Sequence, residues 1–250
     1  MIDTHAHINI SPLLDNVEKI INNAKKNGVK KIICVGINHE TNLKAIKLSE
    51  KYKEVYASVG IHPSEVKEEP NYLSLLLHPK VVAVGEIGID LYWRKDNLDR
   101  QIDVFRKQLK IAEESGLPVI IHSRNSSNVI YEIVKDYNVK GVMHCYSEHS
   151  DLVDKYLDLG FYIGVGGIVT FKNANLVLEI VKKTPLERLL IETDSPYLSP
   201  VPFRGKTNEP KNVLYVLEKL SELKNVSSVV LNKITTENAY NLFPKLNNTI

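Results

Sequence analysis

Five of the chain's eight histidines end short apolar, β-branched runs, in the patterns His5-Ala6-His7, Gly60-Ile61-His62-Pro63, His122-Ser123-Arg124 and His144-Cys145-Tyr146-Ser147. Two further runs end in carboxylates, Gly85-Glu86-Ile87-Gly88-Ile89-Asp90 and Glu192-Thr193-Asp194. Side chains at i and i+2 of a strand share a face, so the imidazoles of His5 and His7 can reach one ion. A lone His-x-His pair carries little weight. Joined to Glu86, His122, His144 and Asp194 at other strand ends, it reads as metal chemistry. Structural zinc sites are closed tetrahedra in which cysteine is prominent, and this chain holds only Cys34 and Cys145, far apart and outside any C-x-x-C spacing. Four imidazoles and two carboxylates exceed what one tetrahedral ion needs. They suffice for two ions that share a carboxylate and keep positions open for water and substrate.

The elements that must position these residues alternate along the whole chain. Strand-like runs are predicted at Met1–His5, Lys31–Gly36, Val55–Gly60, Val81–Gly85, Pro118–His122, Gly141–His144, Phe161–Val165 and Leu189–Thr193. Their apolar content is nearly continuous, as in strands covered on both faces. Amphipathic patterns separate them, for example Val17/Ile20/Ile21/Ala24, Leu43/Ala45/Ile46, Phe105/Leu109/Ala112, Leu152/Tyr156/Leu159 and Leu214/Leu217/Leu220. Eight units in 250 residues average about 31 residues, the size of a βα repeat. The expected fold class is therefore α/β, a closed (β/α)8 TIM-type barrel with its site at the carboxyl ends of the strands. An open doubly wound sheet is disfavoured because no G-x-G-x-x-G turn follows the first strand. No linker or charge block divides the chain, so residues 1–250 are expected to form one domain. Ser227–Leu242 is expected as a last helix closing the barrel, and PKLNNTI as a polar tail.

Composition narrows the classes further. With 43% hydrophobic and 25% charged residues, disorder and fibrous repeats are excluded. Lys+Arg 32 against Asp+Glu 30 gives a net charge of +2, without the cationic surplus of a protein that binds nucleic acid through a broad basic face. The cysteine usage, the absence of a secretory pattern in MIDTHAHINI and the lack of a long apolar run predict a soluble cytoplasmic protein.

The segments IDTHAHI, GIHP, GEIGID, QIDVFRKQL with LPVIIHSR, HCYS and IETDSPYLSPVPFRGKTNEP, in this order over residues 2 to 210, resemble the TatD-type metal-dependent deoxyribonucleases, a branch of the amidohydrolase-like barrels. The resemblance implies that His5, His7 and Asp194 hold one divalent ion and His122 and His144 another, with Glu86 bridging. Asn9, Asn125 and Glu148 depart from the commoner pattern, at positions that bear on tuning and substrate fit. Imidazole-rich sites suit transition metals, whereas the resemblance points to Mg2+; the expected cofactor is two divalent ions, Mg2+, Mn2+ or Zn2+.

Two ions about 3.5–4 Å apart would acidify a bridging water and neutralise charge on a phosphodiester. Asp194 is the general-base candidate, either in that role or as a ligand only. His62 and Arg204 are candidates for contact with a substrate phosphate, since a guanidinium fork suits phosphate oxygens. Glu209 is read as structural, a residue that could hold Arg204 in place, and Lys206 as a solvated charge. Cys145 and Cys34 are read as packing residues, and His39, His78 and His149 as surface residues. Trp93 either stacks on a base or packs its loop. The favoured activity is cleavage of DNA phosphodiesters at ends or in single strands. The alternative is hydrolysis of an ester or amide, in an aminoacyl-tRNA or a small molecule. A lysine on strand four, the residue that often bridges the two metals of amidohydrolases, is absent. A metal-dependent binding module has no need of Asp194, and a partner-binding scaffold would require an exposed apolar patch.

Overall fold

A computed structural model describes residues 1–93 and 95–247. Eight parallel strands follow one another in chain order around one sheet: β1 (Ile2–Ala6), β2 (Lys31–Val35), β3 (Val55–Val59), β4 (Val81–Asp90), β5 (Val119–Arg124), β6 (Gly141–Met143), β7 (Tyr162–Val165) and β8 (Leu189–Ile191). Closure between β8 and β1 comes just past β8, where Ala6 bridges Ser195, His7 N–H donates to Ser195 O and Asp194 N–H donates to His5 O. This is the (β/α)8 TIM barrel. Its helices are α1 (Val17–Lys26), α2 (His39–Lys51), α3 (Leu98–Ser115), α4 (Ser127–Val134), α5 (Val153–Asp158), α6 (Asn175–Lys183), α7 (Val213–Lys224) and α8 (Ser228–Leu242). The crossover from β3 to β4 uses 3-10 turns, Pro63–Glu65 and Leu73–Leu77, where a regular repeat would carry a helix.

Outward-facing strand residues such as Cys34, Ala57, Val84 and Ile121 pack against Ile21, Val104, Phe105, Ile180 and Leu217 of the helical ring. At the amino end of the barrel a second cluster joins Ile2, Ile33, Tyr56, Val82, Ile120 and Leu190 to Ala239, Leu242, Phe243 and Leu246. Helix α8, capped by the Ser227 hydroxyl accepting from Val230 N–H, therefore closes the bottom of the barrel. The stretch expected as a polar tail departs from that expectation. Pro244–Asn247 forms a 3-10 turn whose Leu246 is buried, and whose Leu246 carbonyl accepts from Lys31 Nζ. Residues 248–250 lie outside the described ones. Leu43, expected on the buried face of α2, is exposed, while Ala45 and Ile46 beside it are buried. No helix among the described residues is long and apolar enough to cross a membrane.

The largest difference from the predicted strands is β4, which runs on through Gly-Glu-Ile-Gly-Ile-Asp to Asp90 and is buried throughout. Gly88 permits this. Its φ is 145°, and a Cβ there would lie 2.0 Å from the His122 carbonyl of β5. The pairing registers of β1 and β4 both shift at the positions that carry the functional side chains, between Asp3 and Ala6 and between Val84 and Ile87. Such bulges re-aim a side chain next to a site.

Candidate metal centre

His5 and Glu86 leave the shifted segments of β1 and β4, His122 leaves β5, and His7, His144 and Asp194 stand just past the ends of β1, β6 and β8. All six converge in the barrel mouth. His5 Nε2 and His7 Nε2 are 3.1 Å apart. Glu86 Oε2 lies 3.4 and 3.5 Å from them, and Asp194 Oδ1 lies 3.8 and 3.4 Å away. Ligands at about 2.0–2.1 Å from a tetrahedral ion are separated by about 3.4 Å, so the His5, His7 and Glu86 atoms have the spacing of a cation's coordination shell, with Asp194 beside the two imidazoles. The other Glu86 oxygen, Oε1, faces a looser set: His122 Nδ1 at 2.9 Å, His62 Nε2 at 3.7 Å and His144 Nε2 at 3.9 Å. Asp194 Oδ1 is also 3.8 Å from His144 Nε2.

Hydrogen bonds select which ring nitrogens are free. His7 Nδ1 donates to Val35 O at 3.0 Å, which leaves its Nε2 lone pair facing Glu86 and Asp194. That carbonyl also accepts from Asn9, whose amide donates in addition to Thr41 O, so Asn9 braces the His7 support rather than the ion set. His62 is the reverse case. Its Nδ1 accepts from Ser64 N–H at 3.1 Å, so its single proton sits on Nε2 and points toward Glu86. His62 is thereby a hydrogen-bond donor to the mouth. Burial, reinforced by His122, depresses its pKa to about 3 and keeps it neutral.

His122 is gripped at both nitrogens, by Glu86 Oε1 and by Asp90 Oδ2 at 3.2 Å. Burial opposes its charging, but the two carboxylates outweigh burial and raise the pKa to about 9. His144 is raised to about 10, because Glu192 more than offsets burial. Glu86 and Asp194 are held below the usual carboxylate range by the surrounding imidazoles despite their burial.

Three residues to which the sequence patterns assigned no role complete the centre. Glu192 is wholly buried, with Oε1 accepting from Cys145 N–H at 2.6 Å and lying 2.8 Å from His144 Nδ1. A Cβ at Gly164 would sit 2.9 Å from its Oε2, so β7 leaves the space the carboxylate fills. His5 and His144 stack at 3.5 Å between ring centroids, and Glu192 Oε2 and His5 Nδ1 are buried without a hydrogen-bond partner. Asp90 joins His122 to the backbone N–H groups of Tyr92 and Trp93 through its two oxygens. Asn208 pins the loop after β8 by donating to Thr193 O and Tyr197 O and accepting from Asn212.

Arg204 is not brought to this cluster. It is exposed, and its guanidinium lies 3.8 Å over the Phe171 ring. Glu209 pairs with Lys211 and Asn23 instead of Arg204. Glu148 caps the start of α4, accepting from Ser126 and Ser127 N–H and from the Ser123 hydroxyl, and Asn125 occupies the left-handed region at φ 56°. Cys145, with φ 45°, is not in a strand, and burial together with Glu192 pushes its thiol pKa well up, so it is no nucleophile. His39 is exposed, and His78 faces Glu50.

A parallel eight-stranded barrel with buried imidazoles and carboxylates meeting at the carboxyl ends of its strands is the architecture of a metal-dependent hydrolase. Comparison with known proteins agrees: residues 2–244 match the family described as TatD related DNase. The chain is 41% identical to the uncharacterized metal-dependent hydrolase YabD of Bacillus subtilis (strain 168), over 97% of this chain and 98% of that one. It is 35% identical to the uncharacterized metal-dependent hydrolase YcfH of Escherichia coli (strain K12), over 97% and 95%. The crystal structure of YjjV, a TatD homolog from Escherichia coli K12, superposes with a TM-score of 0.92 at 32% identity, covering 98% of each chain. The chain belongs to the TatD family of metal-dependent hydrolases.

Proposed function

We propose that the chain is a deoxyribonuclease that hydrolyses DNA phosphodiester bonds at ends or in single strands, with two divalent ions as cofactor. The observation that carries this reading is the Glu86 carboxylate, whose Oε2 faces His5 and His7 while its Oε1 faces His122 and His144. One carboxylate is thus shared by two cation-binding sets, with Asp194 reaching both. The family description, TatD related DNase, supports the same substrate. Bound ions would acidify a water molecule and neutralise charge on the phosphate. Asp194, ionised at neutral pH, is placed to accept the attacking water's proton. The neutral His62 Nε2–H donates to a non-bridging phosphate oxygen and stabilises the charge that grows there. Arg204, exposed over the Phe171 ring, is the candidate for contact with a phosphate further along the strand.

The test is incubation of metal-supplemented protein with end-labelled single- and double-stranded DNA, beside an aminoacyl ester and a simple amide. Cleavage of DNA that disappears in an E86A/D194A double variant is the expected result. Full activity in that variant would refute the shared-carboxylate site. Turnover of the ester or amide alone would assign the other hydrolase class. Metal analysis of protein purified without chelator should find at least one equivalent of a divalent ion.

A further inference from the structure

Among the described residues, the exposed large apolar side chains include three aromatic ones: Tyr92 at 54% exposure, Trp93 at 70% and Tyr197 at 53%. Leu77 and Val229, the most exposed aliphatic ones, lie in the β3–β4 crossover and in α8, whereas Val201 shares the loop after β8 with Tyr197. The aromatic three flank the metal centre. Tyr92 and Trp93 follow β4 and are tied by their backbone N–H groups to Asp90 Oδ1, at 2.8 and 3.0 Å, while Asp90 Oδ2 touches His122. Tyr197 stands beyond β8, its ring 6.1 Å from that of His7, in the loop that Asn208 pins. Arg124 adds a cation to the first pair, with its guanidinium 4.0 Å from the Tyr92 ring centroid and 5.5 Å from that of Trp93.

Leaving such rings in water has no benefit to folding, and holding their backbone through a carboxylate that also touches a ligand candidate fixes them relative to the reacting centre. Every nucleobase has a flat π-face that stacks on exposed aromatic rings, and a neighbouring guanidinium adds attraction for the phosphate chain. Duplex DNA hides those faces within its own stack. We infer that Tyr92/Trp93 and Tyr197 are two nucleobase-stacking surfaces on either side of the centre, which receive the bases flanking the scissile phosphate of a single strand and so select unpaired nucleic acid over duplex. The inference rests on the hydrolytic reading above but concerns binding, and binding can be measured without turnover.

Trp93 is the chain's one tryptophan, so fluorescence excited on the long-wavelength side of tyrosine absorption reports on the Tyr92/Trp93 surface. Metal-loaded wild-type protein is titrated with a short phosphorothioate single strand, which resists cleavage, and with the same strand carrying abasic sites. Quenching by the base-bearing strand that is at least tenfold weaker with the abasic one is expected. Equal quenching by both strands, or none by either, would overturn the inference. In parallel, Trp93→Ala and Tyr197→Ala should each raise KM for a single-stranded oligonucleotide about tenfold with little change in kcat, while Trp93→Phe and Tyr197→Phe keep most of the affinity. A kcat loss shared by the Ala and Phe variants would point to a disturbed centre and overturn a stacking role. Base-dependent quenching with no cleavage by wild-type protein would refute the hydrolytic reading and leave the stacking surface standing.

Discussion

At the scale of single residues, the centre combines ligand candidates with carboxylates that aim them. Glu192 is buried against the stacked rings of His5 and His144, one from each of the two sets that Glu86 joins. Carboxylates behind metal-binding histidines fix their tautomer and raise their basicity, and losing one typically weakens metal affinity about 10–100-fold. Glu192→Gln, nearly isosteric, should lower affinity for a divalent ion by such a factor in calorimetric titration, with the circular dichroism spectrum preserved; an unchanged affinity would remove Glu192 from the centre. Protonation offers a second check. An imidazole binds metal only when neutral, yet the fold raises His122 to about 9 and His144 to about 10, above the ordinary 6.5. Both are therefore cationic at pH 7 in the metal-free chain. Metal loading at that pH should release protons, and the affinity should climb with pH until it flattens beyond about 9–10. The sign for stability is the opposite. Raised imidazole pKa values stabilise the metal-free fold fully below pH 6.5, and that stabilisation is lost as pH rises through 9 to 10. Melting of the metal-free protein from pH 6 to 10 checks this; a melting temperature that climbs over that window would contradict it.

At the scale of elements, the closure between β8 and β1 depends on Asp3. Its carboxylate accepts from Thr193 N–H at 2.9 Å, from the Thr193 hydroxyl at 2.7 Å and from His5 N–H at 3.3 Å. Asp3 thus holds the segment that carries Asp194 against the one that carries His5. Burial raises its pKa to about 8 in spite of those donors. Asp3→Ala would strand buried N–H groups and should cost about 2–3 kcal/mol, a fall of roughly 4–12 °C in melting temperature for a chain of this size; a fall below one degree would show the tie to be idle. The strand-end histidines were legible in sequence because the barrel repeats at a near-constant length and its strands read as continuous apolar runs. What stayed hidden had physical reasons. Gly85-Glu86-Ile87-Gly88 looks like the end of a strand, since glycine usually breaks one, but here Gly88 makes room for the His122 carbonyl and β4 continues. Glu192 and Asp90 act through contacts between strands, which no local spacing reveals. Leu246 resembles a tail residue until the barrel floor receives it. Arg204 fits a phosphate role by chemistry and by loop, and only the fold shows its guanidinium committed to Phe171.

For the whole molecule, the number to explain is the net charge of +2. Charges of the two signs are nearly equal in number, and some pair locally on the outer surface, as in the Arg100/Lys107 pairs with Glu69 and Asp103 and the Lys110–Glu113 and Lys219–Glu222 pairs. Exposed pairs like these contribute little to stability, but they cancel the long-range field that would draw a duplex onto a broad face. Two divalent ions at the barrel mouth would add four positive charges, partly offset by Glu86 and Asp194, so attraction for phosphate is confined to the centre. A strand held by a few phosphates and by stacked bases releases few counterions. For two to three phosphate contacts on a single strand, the logarithm of affinity should fall with the logarithm of salt at a slope of about −1.5 to −2. Titrating a non-cleavable single-stranded oligonucleotide between 50 and 300 mM monovalent salt, at constant divalent ion, measures that slope directly, where the salt range spans a few-fold change in screening. A slope steeper than about −4 would mean a long electrostatic track along the surface, and would place the binding energy on lysines and arginines outside the mouth rather than on the metal centre and its aromatic rim.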